Sequence, residues 1–441
     1  MGNKKGIVVI VILCLLVAVL TGVATYKYLD SKDSDVGDKP KEPKEPEKPS
    51  TPPKEFNDKE YNIKLIKTVN STQEGNYLIS PYSIEIALNM LRDGANGDTK
   101  KQIDDVIGTR NINIFTSKDR ISVTNGAFIK DEYKDVILQS YYDKLSNYKA
   151  ELVFDKFNTP DKINNWVKEH TYGMIDKILD SMSPDFVMGL ANAVAIDVEW
   201  SNSFECNRTN SSEFTKTDGT KMNVEMMHNS YEYGNTVLFE TDDATGVVIP
   251  YQSYDKDGNN KYDSEDKNEE NFTQLEFVGI LPNKDVNEYI NSLTQDKLDK
   301  LEEKSYKAGD YNINVALPRF SYSFSLDNFI DVLEAMGIKD VFDQEKADLS
   351  NIMTKEPIYV STAIHKTYID LNEKGTKAAA ITYFGMEKSA IAPEIIEMKR
   401  IEFNKPFVYM IRDSKTKEIL FFGVVENPNE WKGSTCSNIE E

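Results

Sequence analysis

The side chains best suited to metal ligation or nucleophilic attack are His170, His228, His365, Cys206 and Cys436, scattered along a chain of 441 residues. Zinc sites draw on closely spaced Cys and His pairs, and none occurs here. There is no Gly-x-Ser-x-Gly elbow, no phosphate loop and no dinucleotide fingerprint. Carboxylates are abundant, but none stands in an apolar stretch that would raise its pKa for general-acid work. His365, after Thr362-Ala363-Ile364, reads as a core histidine at the start of a strand. Cys14 lies in an apolar run, which leaves Cys206 and Cys436; spacing alone does not bring them together, so two free or loosely paired thiols are expected. The sequence therefore predicts neither catalysis nor a metal or cofactor.

A different chemistry is written in Asn372-Glu373-Lys374-Gly375-Thr376-Lys377-Ala378-Ala379-Ala380-Ile381-Thr382, where the backbone rather than a side chain would act. A glycine hinge is followed by small residues, the composition of a surface segment that can become a buried strand. Strand side chains alternate with period two. Thr376, Ala378, Ala380 and Thr382 would face the core, and Lys377, Ala379 and Ile381 the other side. The lone charge falls on the outer set.

Composition sets the context. Net charge is −21, with 52 basic and 73 acidic residues, and no basic patch stands out, which argues against nucleic acid. Gly6 to Ala24 is an unbroken apolar run preceded by Lys4 and Lys5, long enough to span a membrane with the body outside. A cleaved secretory signal is the rival reading, and both export the body. Ser31 to Asp58 carries Lys-Glu-Pro repeats and almost no large apolar residue, so it reads as an extended spacer reaching on the order of 80 Å. These features divide the chain into a signal-anchor at 1–30, a spacer at 31–58, one globular domain at 59–429 and a tail at 430–441.

Within the domain, Ser83 to Arg92 shows helical spacing, Asp98-Thr99 caps a helix ending at Gly108, and Ser325-Leu326-Asp327 opens a third ending at Gly337. Strands are expected at Ala193–Trp200, Gly246–Pro250, Phe277–Leu281, Tyr311–Leu317, Phe407–Arg412 and Ile419–Val425. Helices come early and strands late, which predicts an α+β body. Gln252 to Phe272 is a hydrophilic insertion with seven acidic residues. Aligned as a calcium loop on Gly258, it places Ser253 and Ser264 at ligand positions that should be acidic, so a solvated loop is expected.

Several segments together resemble the serpin family. They are Asn76-Tyr-Leu-Ile-Ser80-Pro81-Tyr-Ser83 with Gly94-Ala-Asn-Gly-Asp-Thr99, Ile163-Asn-Asn-Trp166-Val167, and Ala191-Asn192 to Trp200. Further on come Leu317-Pro318-Arg319-Phe320, Gly337 to Phe342, Phe403-Asn-Lys-Pro-Phe407 and Phe422 to Pro428. The resemblance runs from about residue 56 to 429, in order. It implies a fold of three β-sheets, eight or nine helices and an exposed reactive-centre loop, and a single-use protease inhibitor with no cofactor. A protease cuts the loop, is held as an acyl-enzyme, and is trapped when the loop inserts into the main sheet.

By matched position, Glu373, Gly375, Thr376, Ala378, Ala379, Ala380 and Thr382 would form the hinge. Ser80, Ser83, Asn192 and His365 would form a polar cluster beneath the main sheet, and Trp200 would sit at the top of its opening. Counting by the family interval puts the attacked residue at Ser389, or at Lys388 with an arm one residue shorter, with Met386 or a neighbour a further alternative; the Lys388–Ser389 bond suits the acidic pocket of trypsin-like proteases. The segment from Gly375 to Phe403 is longer than in common members, which loosens that count. The expected partners are serine proteases of trypsin-like or subtilisin-like type, with cysteine proteases a further class, and a membrane through the N-terminal helix. The expected form is a monomer at the cell surface, and the Lys-, Ile- and Asn-rich text looks bacterial. The alternative is a non-inhibitory member acting as a binding or chaperone-like surface protein.

Overall fold

The computed structural model describes residues 58–108, 112, 114–266, 268–376 and 396–433. Among them lie eight α-helices and an α+β arrangement of sheets. None of the described helices is long and apolar enough to cross a membrane, and the apolar run 6–24 lies outside the described residues.

The main sheet is built from seven strands: β1 (Ile121–Lys130), β2 (Glu151–Asp155), β3 (Met188–Ile196), β4 (Val198–Glu199), β5 (Phe320–Ser325), β6 (Lys366–Leu371) and β7 (Gly375–Thr376). They fall into two ladders, β2-β1-β3 and β5-β6-β7-β4. Only Asp197 separates β3 from β4, so one chain belongs to both ladders. Below β7 no ladder joins β3 to β6 among the described residues. A narrow gap lies there instead, lined by Val194, Ala195 and Ile196 on one side and by Tyr368, Ile369 and Asp370 on the other.

Two further sheets complete the body. The strands Tyr77–Ile79, Ile419–Val425, Phe407–Asp413, Thr273–Pro282, Ala244–Tyr254, Val237–Glu240 and Ser305–Lys307 pair in that order. A second sheet runs Met398–Glu402, Asn312–Pro318, Lys221–Tyr231 and Asn210–Thr215. The strands Phe407–Asp413 and Ile419–Val425 are buried along their whole length, as befits apolar runs covered on both faces. Helix Pro81–Gly94 packs between β3 and Ile419–Val425 and carries Ile84, Ile86, Leu88 and Met90 into the core. Helix Asp161–His170 packs on β1 and β3, with Trp166 edge-on to Phe128 at 5.4 Å.

Local signals located the elements better than their ends. Gly94 closes the first helix, and Gly108 and Gly337 end the next two expected ones with φ of 68° and 110°, which favour glycine. The caps differ from expectation. Asn96, not Asp98, precedes helix Gly97–Ile107, and Asn328, not Ser325, precedes helix Phe329–Met336, because Ser325 is still paired with Lys366 in the main sheet. The ladder claims that residue before the helix can. The acidic insertion joins two paired strands and is docked rather than wholly solvated. Ser117 and Lys118 donate to the Asp255 and Lys256 carbonyls, and the Asp255 carboxylate accepts from the Asp257 and Asn259 amides.

Candidate functional site: the loop hinge and the sheet opening

Strand β6 ends at Leu371 and the chain reverses in four residues. The Asn372 amide donates to the Gly375 carbonyl at 3.0 Å, and the Asn372 side chain accepts from the Lys374 amide at 3.0 Å. This Asx-type turn returns the chain as β7. Thr376 pairs with Leu371 on one side and with Val198 on the other, while Gly375 pairs with Glu199, all antiparallel. The first two residues of the segment are therefore a strand between β6 and β4.

Two features call for glycine at 375. Its φ of 159° lies at the edge of the positive range that other residues rarely adopt, and a Cβ there would stand 2.0 Å from the Val198 carbonyl oxygen and 2.8 Å from the Glu199 Cα. Thr376 is buried, and its hydroxyl shares a hydrogen bond of 2.6 Å with the Tyr251 hydroxyl. Residues 377–395, including Ala378, Ala379, Ala380, Thr382, Lys388 and Ser389, lie outside the described residues.

Above β7 the turn is gripped from three sides. Trp200 is 1% exposed and lies flat on Tyr251 at 4.4 Å between ring centroids. Its indole N–H donates to the Asn372 carbonyl at 2.9 Å and its amide to the Lys374 carbonyl at 2.9 Å. The Phe204 amide donates to the Glu373 carbonyl at 3.0 Å. The Glu373 carboxylate is buried and accepts from Arg319 twice, at 2.6 Å from Nε and 2.5 Å from Nη2, and from the Thr209 hydroxyl. Burial works against the Arg319 charge, yet the bonds from Glu373 and then Glu225 outweigh it and raise its pKa. A bidentate charge-assisted pair of this kind fixes direction as well as distance.

Beneath the sheet, the Ser80 amide donates to His365 Nε2 at 3.0 Å, and the Ser80 hydroxyl donates to the Leu420 carbonyl at 2.6 Å. The same hydroxyl accepts from the Ser83 amide, so Ser80 caps helix Pro81–Gly94. His365 is buried, and desolvation pushes its imidazole down to about 4, so it is neutral with Nε2 as acceptor. Asn192 stands apart from this group. Its amide donates to Asn125 Oδ1 at 2.8 Å, and no described hydrogen bond ties it to Ser80, Ser83 or His365.

The structure thus brings Glu373, Gly375, Thr376 and Trp200 to one place, and Ser80, Ser83 and His365 to another. Arg319, Thr209 and Tyr251 join the site without a local sequence signal: Arg319 lies within Leu317-Pro318-Arg319-Phe320, but nothing nearby marks a charge 54 residues away as its partner. Cys206 corrects an expectation: it is disulfide-bonded, not free, and its partner lies outside the described residues.

A main sheet split into two ladders below the short strand β7, with two further sheets and eight described α-helices, is the architecture of one class of α+β protein. The serpin (serine protease inhibitor) family model matches residues 57–428, and the chain belongs to the serpin family. The chain is 28% identical over 405 residues to Iripin-5 of Ixodes ricinus, covering 84% of this chain and 93% of that one. It is 29% identical over 391 residues to an uncharacterized serpin-like protein of Methanosarcina acetivorans, covering 82% of this chain and 83% of that one. Among solved structures, native thermophilic tengpin superposes with a TM-score of 0.68 at 30% identity, covering 84% of this chain and 93% of that one.

Proposed function

We propose that this protein is a suicide-substrate inhibitor of serine proteases of trypsin-like or subtilisin-like type, held outside the cell by its N-terminal apolar segment and spacer. The observation that carries the reading is the seating of Gly375 and Thr376 between β4 and β6 directly above the gap at β3 and β6. A loop strand already begun, above two strands that share no ladder, can continue between them once its far end is released and they part.

The release is an ordinary acyl transfer. The protease serine attacks the carbonyl carbon of Lys388 and gives its proton to the protease histidine, which protonates the departing amine of Ser389. An ester then joins Lys388 to the protease, and the cut bond leaves the segment from Gly375 onward free to insert. Each new ladder hydrogen bond contributes about 1 kcal/mol net, so a fully inserted segment supplies on the order of 10 kcal/mol.

Mixing the ectodomain with trypsin, subtilisin and elastase tests this. The expected result is a denaturant-stable complex, loss of protease activity and a released C-terminal fragment beginning at Ser389. Cleavage with full retention of protease activity would overturn it.

A further inference from the structure

The hydrophilic insertion after Gln252 begins as a compact knob. The Asp255 amide donates to the Asn259 carbonyl at 3.0 Å, and the Asn259 side chain donates to the Asp255 carboxylate at 2.9 Å. Asn260 pairs with Tyr254 and gives its side-chain amide to Gln252 at 2.6 Å. The knob is seated on the segment that leads into β1. Ser117, which is buried, donates its hydroxyl to the Asp255 carbonyl at 2.5 Å, and the Lys118 amide donates to the Lys256 carbonyl at 3.1 Å. Gly258, with φ of 86°, comes so close that a Cβ would run into the Lys118 carbonyl oxygen.

From this seat, contacts run to the junction of the two ladders. The Arg120 carbonyl accepts from the amide of Asp197, the single residue between β3 and β4, at 2.8 Å. The Arg120 guanidinium lies over the Tyr254 ring at 4.9 Å and reaches the Glu199 carboxylate at 3.4 Å. The buried Tyr254 hydroxyl accepts from the Glu199 amide at 3.4 Å. Just beyond β4, Ser201 donates its amide to the Pro250 carbonyl at 3.0 Å and its hydroxyl to the Tyr251 carbonyl at 2.6 Å. Strand β4 is thus tied at both ends, and it is β4 that pairs with Gly375 and Thr376. Strand β3 has β1 as its only ladder partner among the described residues and the gap on its other side. Ile121, where β1 begins, stands opposite Ile196, where β3 ends, so both strands leave the seat together.

We infer that the insertion is a brace that makes Asp197 a fixed pivot: β4 and β7 stay with the brace, while the far ends of β1 and β3 are free to swing away from β6. Moving β4 would break the bonds at Asp197, Glu199 and Ser201 together, each a loss of its own, whereas parting β3 from β6 breaks no ladder. This division of the sheet holds for an inhibitory and a non-inhibitory serpin alike. A row of contacts couples two places only if loosening one loosens the other, and that can be measured.

Amide hydrogen exchange on the full-length chain, with no protease present, reads the brace. Ser117→Ala removes the bond to Asp255, and Gly258→Ala forces the knob off Lys118. Each should accelerate exchange roughly three- to tenfold in peptides covering 196–202 and 372–376. Arg120→Gln should act on the same peptides, and combined with Gly258→Ala it should add less than the two separate effects, because both cut one path. Glu269→Gln removes an exposed ion pair with Lys261 elsewhere on the insertion and should change neither peptide. Peptides from the far end of β3, 188–193, should exchange as in the parent. Acceleration confined to 117–121 and 252–260 would overturn the proposal, since the seat would then be uncoupled from the hinge. Equal acceleration at 188–193 would overturn it too, because the whole sheet would have loosened rather than its pivot. Should Gly258→Ala fold poorly, Ser117→Ala supplies the same comparison.

Discussion

Arg319 and Glu373 face each other across the top of the main sheet through two hydrogen bonds of 2.6 and 2.5 Å, with Glu373 only 2% exposed. Removing one member of a buried pair leaves an uncompensated charge, at roughly 3–5 kcal/mol. Glu373→Ala and Arg319→Ala should each lower the denaturation midpoint. The double variant should cost little more than either single one, because the two substitutions remove the same interaction. Additive losses in a double-mutant cycle would show that the pair is not the contact that matters.

Gly375→Val should be more disruptive than a surface substitution. The new Cβ meets the Val198 carbonyl oxygen, which belongs to backbone and cannot turn away. Overpacking of this kind costs about 1–3 kcal/mol or more, and here the cheapest relief is for β7 to leave the sheet. Faster amide exchange at Thr376, and a shift from inhibitor to plain substrate in titrations with trypsin, are the expected results. A variant that titrates like the parent would refute the crowding argument.

Tyr251→Phe removes the hydroxyl partner of the buried Thr376 and should destabilise by about 1–2 kcal/mol. Adding Thr376→Val removes the orphaned hydroxyl and should recover most of that loss. The pair of melting curves decides it: no recovery would mean that the ring of Tyr251, stacked on Trp200, does not depend on this bond.

His365 makes stability pH-dependent in one direction. Burial depresses its pKa to about 4, whereas the unfolded chain takes up the proton near 6.5. Above 6.5 both states are neutral and the group has no effect. Between 6.5 and 4 the unfolded state binds the extra proton, so stability falls as pH falls, by roughly 3 kcal/mol over the window. Protonation would also destroy the acceptor for the Ser80 amide. Urea midpoints measured from pH 7.5 to 4 should show a slope that His365→Gln flattens; an unchanged slope would assign it to other groups.

Much of this architecture was legible because it is written in local periodicity. The runs Ile419–Val425 and Phe407–Arg412 are apolar throughout and became fully buried strands. Gly108 and Gly337 ended helices for reasons contained in one residue. Ser80 was placed only by matched position in the family resemblance, and its role as cap of helix Pro81–Gly94 is seen in the fold. Asn192 was harder: its hydrogen-bond partner is chosen by the register of β3 against β1, which no single segment states.

An α+β body and a hinge with small residues on one face can be read along the chain, because residue size and periods of two and 3.6 are carried by each segment alone; the serpin order rests on the resemblance of its motifs. The crowding around Gly375, the pairing of Arg319 with Glu373 and the disulfide at Cys206 emerge only once the chain is folded. Each of these depends on atoms that meet from distant parts of the chain. Sequence specifies the faces of an element, but the partner of a buried charge is settled when the sheet closes around it.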